Sequence, residues 1–344
     1  MPLLFTTMVQ LCSVISLLLV LLSFSCCFRP SPAGGMEMRP FPTRNLSPLV
    51  QGFGLPVARP ATVLDGGAAE VGITVQMASH FLERRSDAET LVMDGETNRY
   101  ELGLAYGAGQ RLRIDLVVPW IQHGRGVLDG FIEGWHDTFG MPQGGRELAP
   151  RRRLLYLYQR DGQDRLRLDR KADGPGDVLL QAGWQSPWSG NGSPVGLTLS
   201  LKLPTGNSDR LLGSGSTDLA MALQADHPPG PAPLSWGCFA GGGILAMSTG
   251  DILPDQQLNV VWFATLGLNW QLFRHLALQT QLDGHTSFFK DGGFQAVGGP
   301  SAQFILGGMV DLTRAIALDL AVSEDLVVGT APDVVFLLNL RRRY

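Results

Sequence analysis

Apolar and polar positions alternate along most of this chain beyond its first seventy residues. In HLALQTQLDGH, residues 275–285, leucines fill one face of an extended segment and glutamines, Asp283 and His285 fill the other. The runs RLRIDLVVPW and VGLTLSLKLPTG repeat the pattern. A period of two is typical of a strand with one apolar face. The pattern therefore predicts an all-β protein.

The spacing of these segments predicts about twelve strands. They cover residues 71–82, 89–107, 110–122, 177–186, 195–204, 217–225, 234–247, 258–271, 274–286, 299–311, 314–323 and 333–344. Many reach the ~9 to 13 residues that cross a bilayer at a tilt, and short turns alternate with longer loops. These features favour an antiparallel transmembrane β-barrel over residues 70–344 rather than a soluble sandwich, with short turns at the periplasmic end.

The two faces of the predicted wall differ in chemistry. Aromatic residues are expected at the membrane rims, where amphipathic rings prefer to lie. This girdle places Trp184, Trp236, Trp270 and Tyr344 at the periplasmic rim, and Trp120 and Phe288 at the outer rim. Polar side chains are expected to face the lumen, as a solute passage or simply as filling: Arg99, Glu101, Arg113, Asp115, Lys202, Asp283, His285 and Asp319.

One connection departs from the alternation. Residues 123–176 form the longest outward loop, and within it residues 127–139 are predicted to form an amphipathic helix that ends at Gly140. Its apolar stripe is a candidate lid, plug or gate: Phe131, Ile132, Trp135 and Phe139. A weaker hypothesis is an acid–base group of Glu133, His136 and Asp137, for which the sequence places no nucleophile.

The chain begins with a strongly apolar run, Leu11 to Phe28. Residues 1–33 are predicted to be a secretory signal peptide, cleaved after Ser25 or Ala33. An uncleaved anchor and a lipoprotein modified at Cys26 or Cys27 remain alternatives. Residues 34–69 are predicted to be an N-terminal periplasmic segment.

Composition removes several classes of function. A net charge of −4 argues against nucleic-acid binding, which favours a basic face. Cys238 is the only cysteine of the body, so no disulfide within it and no cysteine metal site is expected. The six histidines are dispersed without metal-ligand spacing, and no cofactor motif is present.

Two stretches carry a resemblance. LVMDGETNRYELGLAYGAGQRLRIDLVVPW and LDGFIEGWHDTFGMPQGGRE resemble the uncharacterised Gram-negative bacterial family catalogued as domain of unknown function 3187, which implies a protein of the outer membrane. KLPTGN and GSGSTD, which begin at Lys202 and Gly213, resemble loops of outer-membrane channels for hydrophobic substrates. The last strand, ending in Tyr344, resembles the signal that the barrel-assembly machinery reads.

The leading hypothesis is an outer-membrane channel or carrier for small molecules, hydrophobic ones included, gated by helix 127–139 and surrounded by outer-membrane lipid. The solute is not identifiable from the sequence. The alternatives are an outer-membrane enzyme acting on lipid or lipopolysaccharide and a non-conducting structural barrel, and a channel is favoured over an enzyme.

Overall fold

The computed structural model describes residues 39–126, 153–188, 193–230 and 234–344. These residues form fifteen strands, one 3-10 turn and one short helix. The strands are β1 (Ala69–Arg85), β2 (Glu89–Gly107), β3 (Leu112–Gly124), β4 (Leu155–Arg160), β5 (Gln163–Leu168), β6 (Ala172–Pro175), β7 (Val178–Gln185), β8 (Val195–Leu203), β9 (Asp218–His227), β10 (Ser235–Met247), β11 (Val260–Phe273), β12 (Leu276–His285), β13 (Ser301–Asp311), β14 (Ile316–Asp325) and β15 (Val334–Arg343). The 3-10 turn covers Ser208–Arg210, and α1 covers Gln295–Gly298.

Twelve of the described strands close into an antiparallel barrel. β1, β2 and β3 pair in sequence, β3 pairs with β7, and β7 to β15 follow in order. The barrel closes between β1 and β15, where Glu70 stands opposite Arg343. Closure leaves no unpaired edge in the wall, as a membrane barrel requires.

The two ends of the barrel differ. Short connections such as 108–111, 274–275 and 312–315 lie at one end, together with the start of β1 and the end of β15; we call it the turn end. Longer connections, including 204–217, 248–259 and 286–300, lie at the other, which we call the loop end. No helix within the described residues has the length and apolar character needed to cross a membrane.

Side chains alternate across the wall as the period of two predicts. On β11, Trp262, Leu266 and Leu268 point outward and are at least half exposed, whereas Asn269 is buried inside. The same division runs along the other barrel strands, whose inward positions carry buried Gln, Ser, Thr, Arg, Glu and Asp. An apolar outer surface around a polar interior is the arrangement expected of a barrel in lipid.

Each of the twelve predicted strands overlaps one strand of the barrel. The prediction for residues 123–176 is only partly correct, because the described part of this connection, residues 153–176, contains three short strands. β4 and β5 form a hairpin that extends the outer part of β2, and β6 pairs with β3. The predicted helix at 127–139 lies outside the described residues.

Residues 39–64, which we call the inner segment, occupy the barrel interior. Phe41, Leu46 and Leu49 are almost fully buried there. This placement corrects the prediction of a periplasmic segment over 34–69 for the described residues 39–64. The segment forms no strand, and its five prolines explain why: each lacks a backbone N–H and fixes φ, so a ladder cannot form.

A hydrophobic core closes the loop end. The turn of the inner segment contributes Leu49, Val50 and Phe53, and the surrounding loops contribute Leu212, Phe288 and other apolar side chains. The rings of Phe53 and Phe288 lie 5.2 Å apart. Phe288 was expected at the outer rim of the barrel and is instead buried in this core. Each such side chain contributes ~1.5 to 3 kcal/mol on burial.

Candidate functional site: the occupied lumen

The first arm of the inner segment, residues 39–46, runs along β12. Gln281 accepts a hydrogen bond from the backbone N–H of Phe41 at 2.9 Å and donates one to the carbonyl of the same residue at 3.1 Å. Thr43 donates to Asp283, and Asn45 contacts His285 at 2.9 Å. The partners advance by two residues on both sides, so this arm follows the wall through side chains rather than through a backbone ladder.

Ion pairs and hydrogen bonds of an asparagine side chain hold the first arm toward its two ends. Arg39 forms an ion pair with Glu70 at 2.8 Å near the turn end. Arg44 pairs with Glu101 at 2.8 Å and also donates to the carbonyl of Leu55, which connects the two arms. Nearer the loop end, Asn45 donates to Ser301 and to the carbonyl of Thr330.

The second arm, residues 54–64, returns along β7 to β9. The N–H of Gly54 donates to Asp218 at 2.7 Å, and Arg59 donates to Gln181. The N–H of Ala61 donates to Asp226 at 2.7 Å. Both ends of the inner segment therefore lie at the turn end, and the turn between the arms lies under the loops.

A buried cluster joins the two motifs that resemble channel loops. Lys202 of KLPTGN contacts Asp177 at 2.5 Å, Asp218 at 3.3 Å and the hydroxyl of Ser214 at 2.5 Å. Ser214 and Ser216 belong to GSGSTD, and Ser216 donates to Asp218. Because Asp218 also holds Gly54, this cluster attaches the loop 204–217 to the inner segment.

Cavities remain beside the two arms. One of about 80 Å³ lies in the turn half of the lumen, bounded by both arms and by β1, β2, β3, β14 and β15. A second of about 60 Å³ lies toward β8 to β12, next to Asp283 and His285. Nine of the twenty residues that line the first are charged, whereas the second is bordered by small and apolar residues such as Gly241, Gly242 and Phe263.

The structure places the expected polar residues as follows. Arg99, Glu101, Arg113, Asp115, Lys202 and Asp319 are buried inside, and Asp283 and His285 contact the inner segment.

Among the aromatic positions, Trp120, Trp184 and Trp236 are exposed on the outer surface, and Trp236 stacks on Trp270 with ring centroids 5.2 Å apart. Tyr344 follows the end of β15 and is half-buried.

The residues proposed for the loop helix lie outside the described residues. They are Phe131, Ile132, Trp135 and Phe139 of the apolar stripe, and Glu133, His136 and Asp137 of the acid–base hypothesis. Both roles stay predictions.

The inner segment is the part of the lumen that sequence reasoning missed. Arg39, Arg44 and Arg59 stand among prolines without alternation. A proline-rich stretch of this kind fits a solvated linker equally well, and no local pattern distinguishes the two. Three arginines within a stretch otherwise rich in apolar residues were the available signal, since they match the carboxylates on the inward faces of the barrel.

Fold and lumen together define the class: an outer-membrane type β-barrel whose interior is occupied by its own residues 39–64. The structure is similar to the COG4313 outer-membrane channel of Pseudomonas putida F1, with 15% identity, a TM-score of 0.55, and coverage of 83% of this chain and 98% of that one. It is also similar to the KdgM porin, with 5% identity, a TM-score of 0.41, and coverage of 79% and 98%.

A further similar structure is the Pseudomonas putida toluene transporter TodX, with 12% identity, a TM-score of 0.39, and coverage of 83% of this chain and 92% of that one. No curated protein matches the sequence. The model of the family described as "Protein of unknown function (DUF3187)" matches residues 16–344. The chain belongs to this family, as the resemblance in the sequence implies.

Proposed function

We propose that this protein is an outer-membrane channel for small solutes and that the inner segment closes its lumen. In this proposal, the leader, residues 1–33, directs export of the protein. The observation that carries the proposal is how the segment is held. Its first and second arms contact the wall mainly through hydrogen bonds and ion pairs, such as Arg44 with Glu101 and Ala61 with Asp226. Water can replace each such contact at a cost of ~0.5 to 3 kcal/mol.

The path of the inner segment supports the same function. Both of its ends lie at the turn end, so the hairpin can leave the lumen without threading through the barrel. The apolar turn at Leu49, Val50 and Phe53 would have to separate from the core at the loop end, which makes opening the costlier conformational step. The closed state is therefore the resting state in this proposal.

The helix predicted for residues 127–139 is also part of the proposal. Its apolar stripe around Trp135 would cover the loop end once the turn at 48–53 had moved. The structural similarity to an outer-membrane channel supports a conducting role, and it does not identify the solute.

Conductance in planar bilayers tests the proposal. We expect rare, brief openings from the full chain and large, stable openings from a variant that lacks residues 39–64. The folded barrel is verified beforehand by heat-modifiable migration on gels. A folded deletion variant that conducts no ions would overturn the proposal in favour of a structural barrel.

A cross-link provides a second test, because it keeps residues 39–64 in the chain. Asn45→Cys with Ser301→Cys joins two side chains that already touch at 3.3 Å, in a background that lacks Cys26, Cys27 and Cys238. The oxidised protein should stay closed, and reduction should restore the openings of the background protein. Equal conductance before and after reduction would count against gating by the inner segment.

A further inference from the structure

The larger cavity combines an open floor with charged walls. Gly72 and Gly103 face each other across β1 and β2 on the inward side of the wall. A Cβ atom built on Gly103 would meet no atom closer than 3.9 Å. The glycine pair therefore leaves space that side chains would otherwise fill, directly beneath the two arms.

In the part of the chain that the structure describes, positive charge exceeds negative charge around this space. The described residues that line it include four carboxylates, Glu70, Glu101, Asp115 and Asp319, and five arginines, Arg39, Arg44, Arg59, Arg113 and Arg341. Two more arginines contact the same carboxylates, Arg99 with Glu101 and Arg343 with Glu70. Among the described residues, these seven guanidinium groups contact four carboxylates, and Arg39 and Arg343 have further partners as well.

The carboxylates are already shared among these cations. Glu70 contacts Arg39, Arg113 and Arg343, and Asp115 contacts Arg113 at 2.8 Å and Arg59 at 3.6 Å. A buried cation without enough compensating charge is unfavourable. An additional anion between the arms would lower this cost.

Two arginines have capacity for such an anion. Arg59 is attached to Gln181 and lies 3.6 Å from its nearest carboxylate contact, longer than the other pairs. Arg341 binds Asp319 through Nη2 at 2.9 Å, while its buried Nε has no acceptor among the described residues. Both side chains line the cavity.

We propose that this cavity binds the carboxylate group of a small organic acid, which makes small organic anions the solute class of the channel. The role of this site in transport rests on the proposed function, whereas the binding of the acid does not. A guanidinium presents two parallel N–H donors that match a carboxylate, and a cavity of about 80 Å³ suits a small acid or the carboxylate end of a longer one.

Calorimetry of the full chain in zwitterionic detergent at low salt tests the site. Acetate is the probe, acetamide is its neutral isostere, and chloride is the competing inorganic anion. We expect heat of binding with acetate and none with acetamide. Chloride that binds as tightly as acetate would overturn the assignment to carboxylates, and binding of acetamide would overturn the role of charge.

Two variants test whether acetate binds in this cavity. Arg59→Gln removes one guanidinium, and we expect at least ~10-fold weaker acetate binding because a charge-assisted hydrogen bond is lost. Gly103→Leu fills the floor, and we expect binding to disappear. The matched controls are Arg167→Gln, an exposed arginine on β5, and Gly124→Leu, where a Cβ atom meets nothing within 4 Å. Acetate binding unchanged in Gly103→Leu would overturn the site.

Reversal potentials separate this inference from the proposed function. In the openings of the full chain, which retains Arg39, Arg44 and Arg59, we expect acetate to permeate better than a cation of similar size, and a preference for cations would overturn the assignment of the solute class. If no variant conducts while acetate still binds in calorimetry, the channel function fails and the binding site stands.

Discussion

At the scale of single residues, Lys202 is the most deeply buried cation among the described residues. Its side chain is 2% exposed and contacts Asp177, Asp218 and Ser214. The backbone N–H of Ser214 also donates to Asp177, and the backbone N–H of Gly206 donates to Asp177 at 2.8 Å. Lys202 therefore compensates two buried carboxylates on which the loop 204–217 and Gly54 depend.

Lys202→Met should destabilise the barrel by ~3 to 5 kcal/mol, because it leaves two buried carboxylates without their cation. The midpoint of urea unfolding in micelles measures this loss, and cleavage of loop 204–217 by protease should become faster. Arg167→Met is the control: its ion pairs with Asp164 and Asp169 are exposed, and such pairs stabilise by ~0 to 1 kcal/mol. Equal losses in both variants would contradict this account of the cluster.

At the scale of elements, the β4–β5 hairpin forms part of the closure at the loop end. It pairs with residues 89–94 of β2, beyond the stretch of β2 that pairs with β3, so it lies outside the membrane-spanning wall. Tyr156 and Tyr158 are fully buried there. The hydroxyl of Tyr156 contacts Thr97 at 3.2 Å, and that of Tyr158 donates to Glu89 at 2.9 Å.

These tyrosines predict a loss of stability at high pH. Burial raises the pKa of both Tyr156 and Tyr158 above the ordinary value of 10.0. A folded-state pKa above the unfolded one means that the stabilisation is complete below pH 10.0 and falls as the pH rises beyond it. Urea unfolding of the full chain between about pH 9 and 11.5 should show this decline.

Phenylalanine variants isolate the cause of the pH effect. Tyr156→Phe with Tyr158→Phe should cost ~1 to 3 kcal/mol near neutral pH, because hydrogen bonds are lost, and should weaken the decline above pH 10.0. Tyr106→Phe, on the exposed outer surface of β2, serves as the control. A decline of equal steepness in the double variant would show that other groups cause it.

At the scale of the whole molecule, the outer surface determines the environment in which the barrel is stable. Apolar side chains including Leu104, Ile114, Leu199, Leu223, Leu266 and Leu306 are exposed around the wall. A continuous apolar belt around a closed barrel is stable only against lipid or detergent. The polar lumen and the belt together favour a protein that crosses the membrane.

Leu266→Arg tests the belt. Leu266 lies midway along β11 and is 52% exposed, so an arginine there should cost ~2 to 4 kcal/mol at the centre of the bilayer. The measurement is the yield of heat-modifiable barrel after folding into lipid vesicles, which should fall strongly. Leu326→Arg provides a control of similar exposure, 56%, in the loop after β14, and should fold at the level of the unmodified protein.

The barrel was readable from the sequence because its strands carry a local signal. A residue on β12 such as Leu278 or Gln279 reveals its face by the identity of its immediate neighbours, and this alternation needs no tertiary information. The same reasoning gives the inward positions of Arg113 and Asp115. Shorter strands such as β6 have too few residues to reveal a period, so the connection between β3 and β7 was only partly anticipated.

The sequence by itself determined the barrel, its strand order and its polar interior, since each follows from the period of two and from short-range turns. Only the tertiary structure decided what fills that interior. The contacts of the inner segment join residues far apart in the chain, as Thr43 with Asp283 and Arg59 with Gln181 do. Its prolines give no periodic pattern, so the positions of Arg39, Arg44 and Arg59 depend on a lumen that exists only after the barrel has closed.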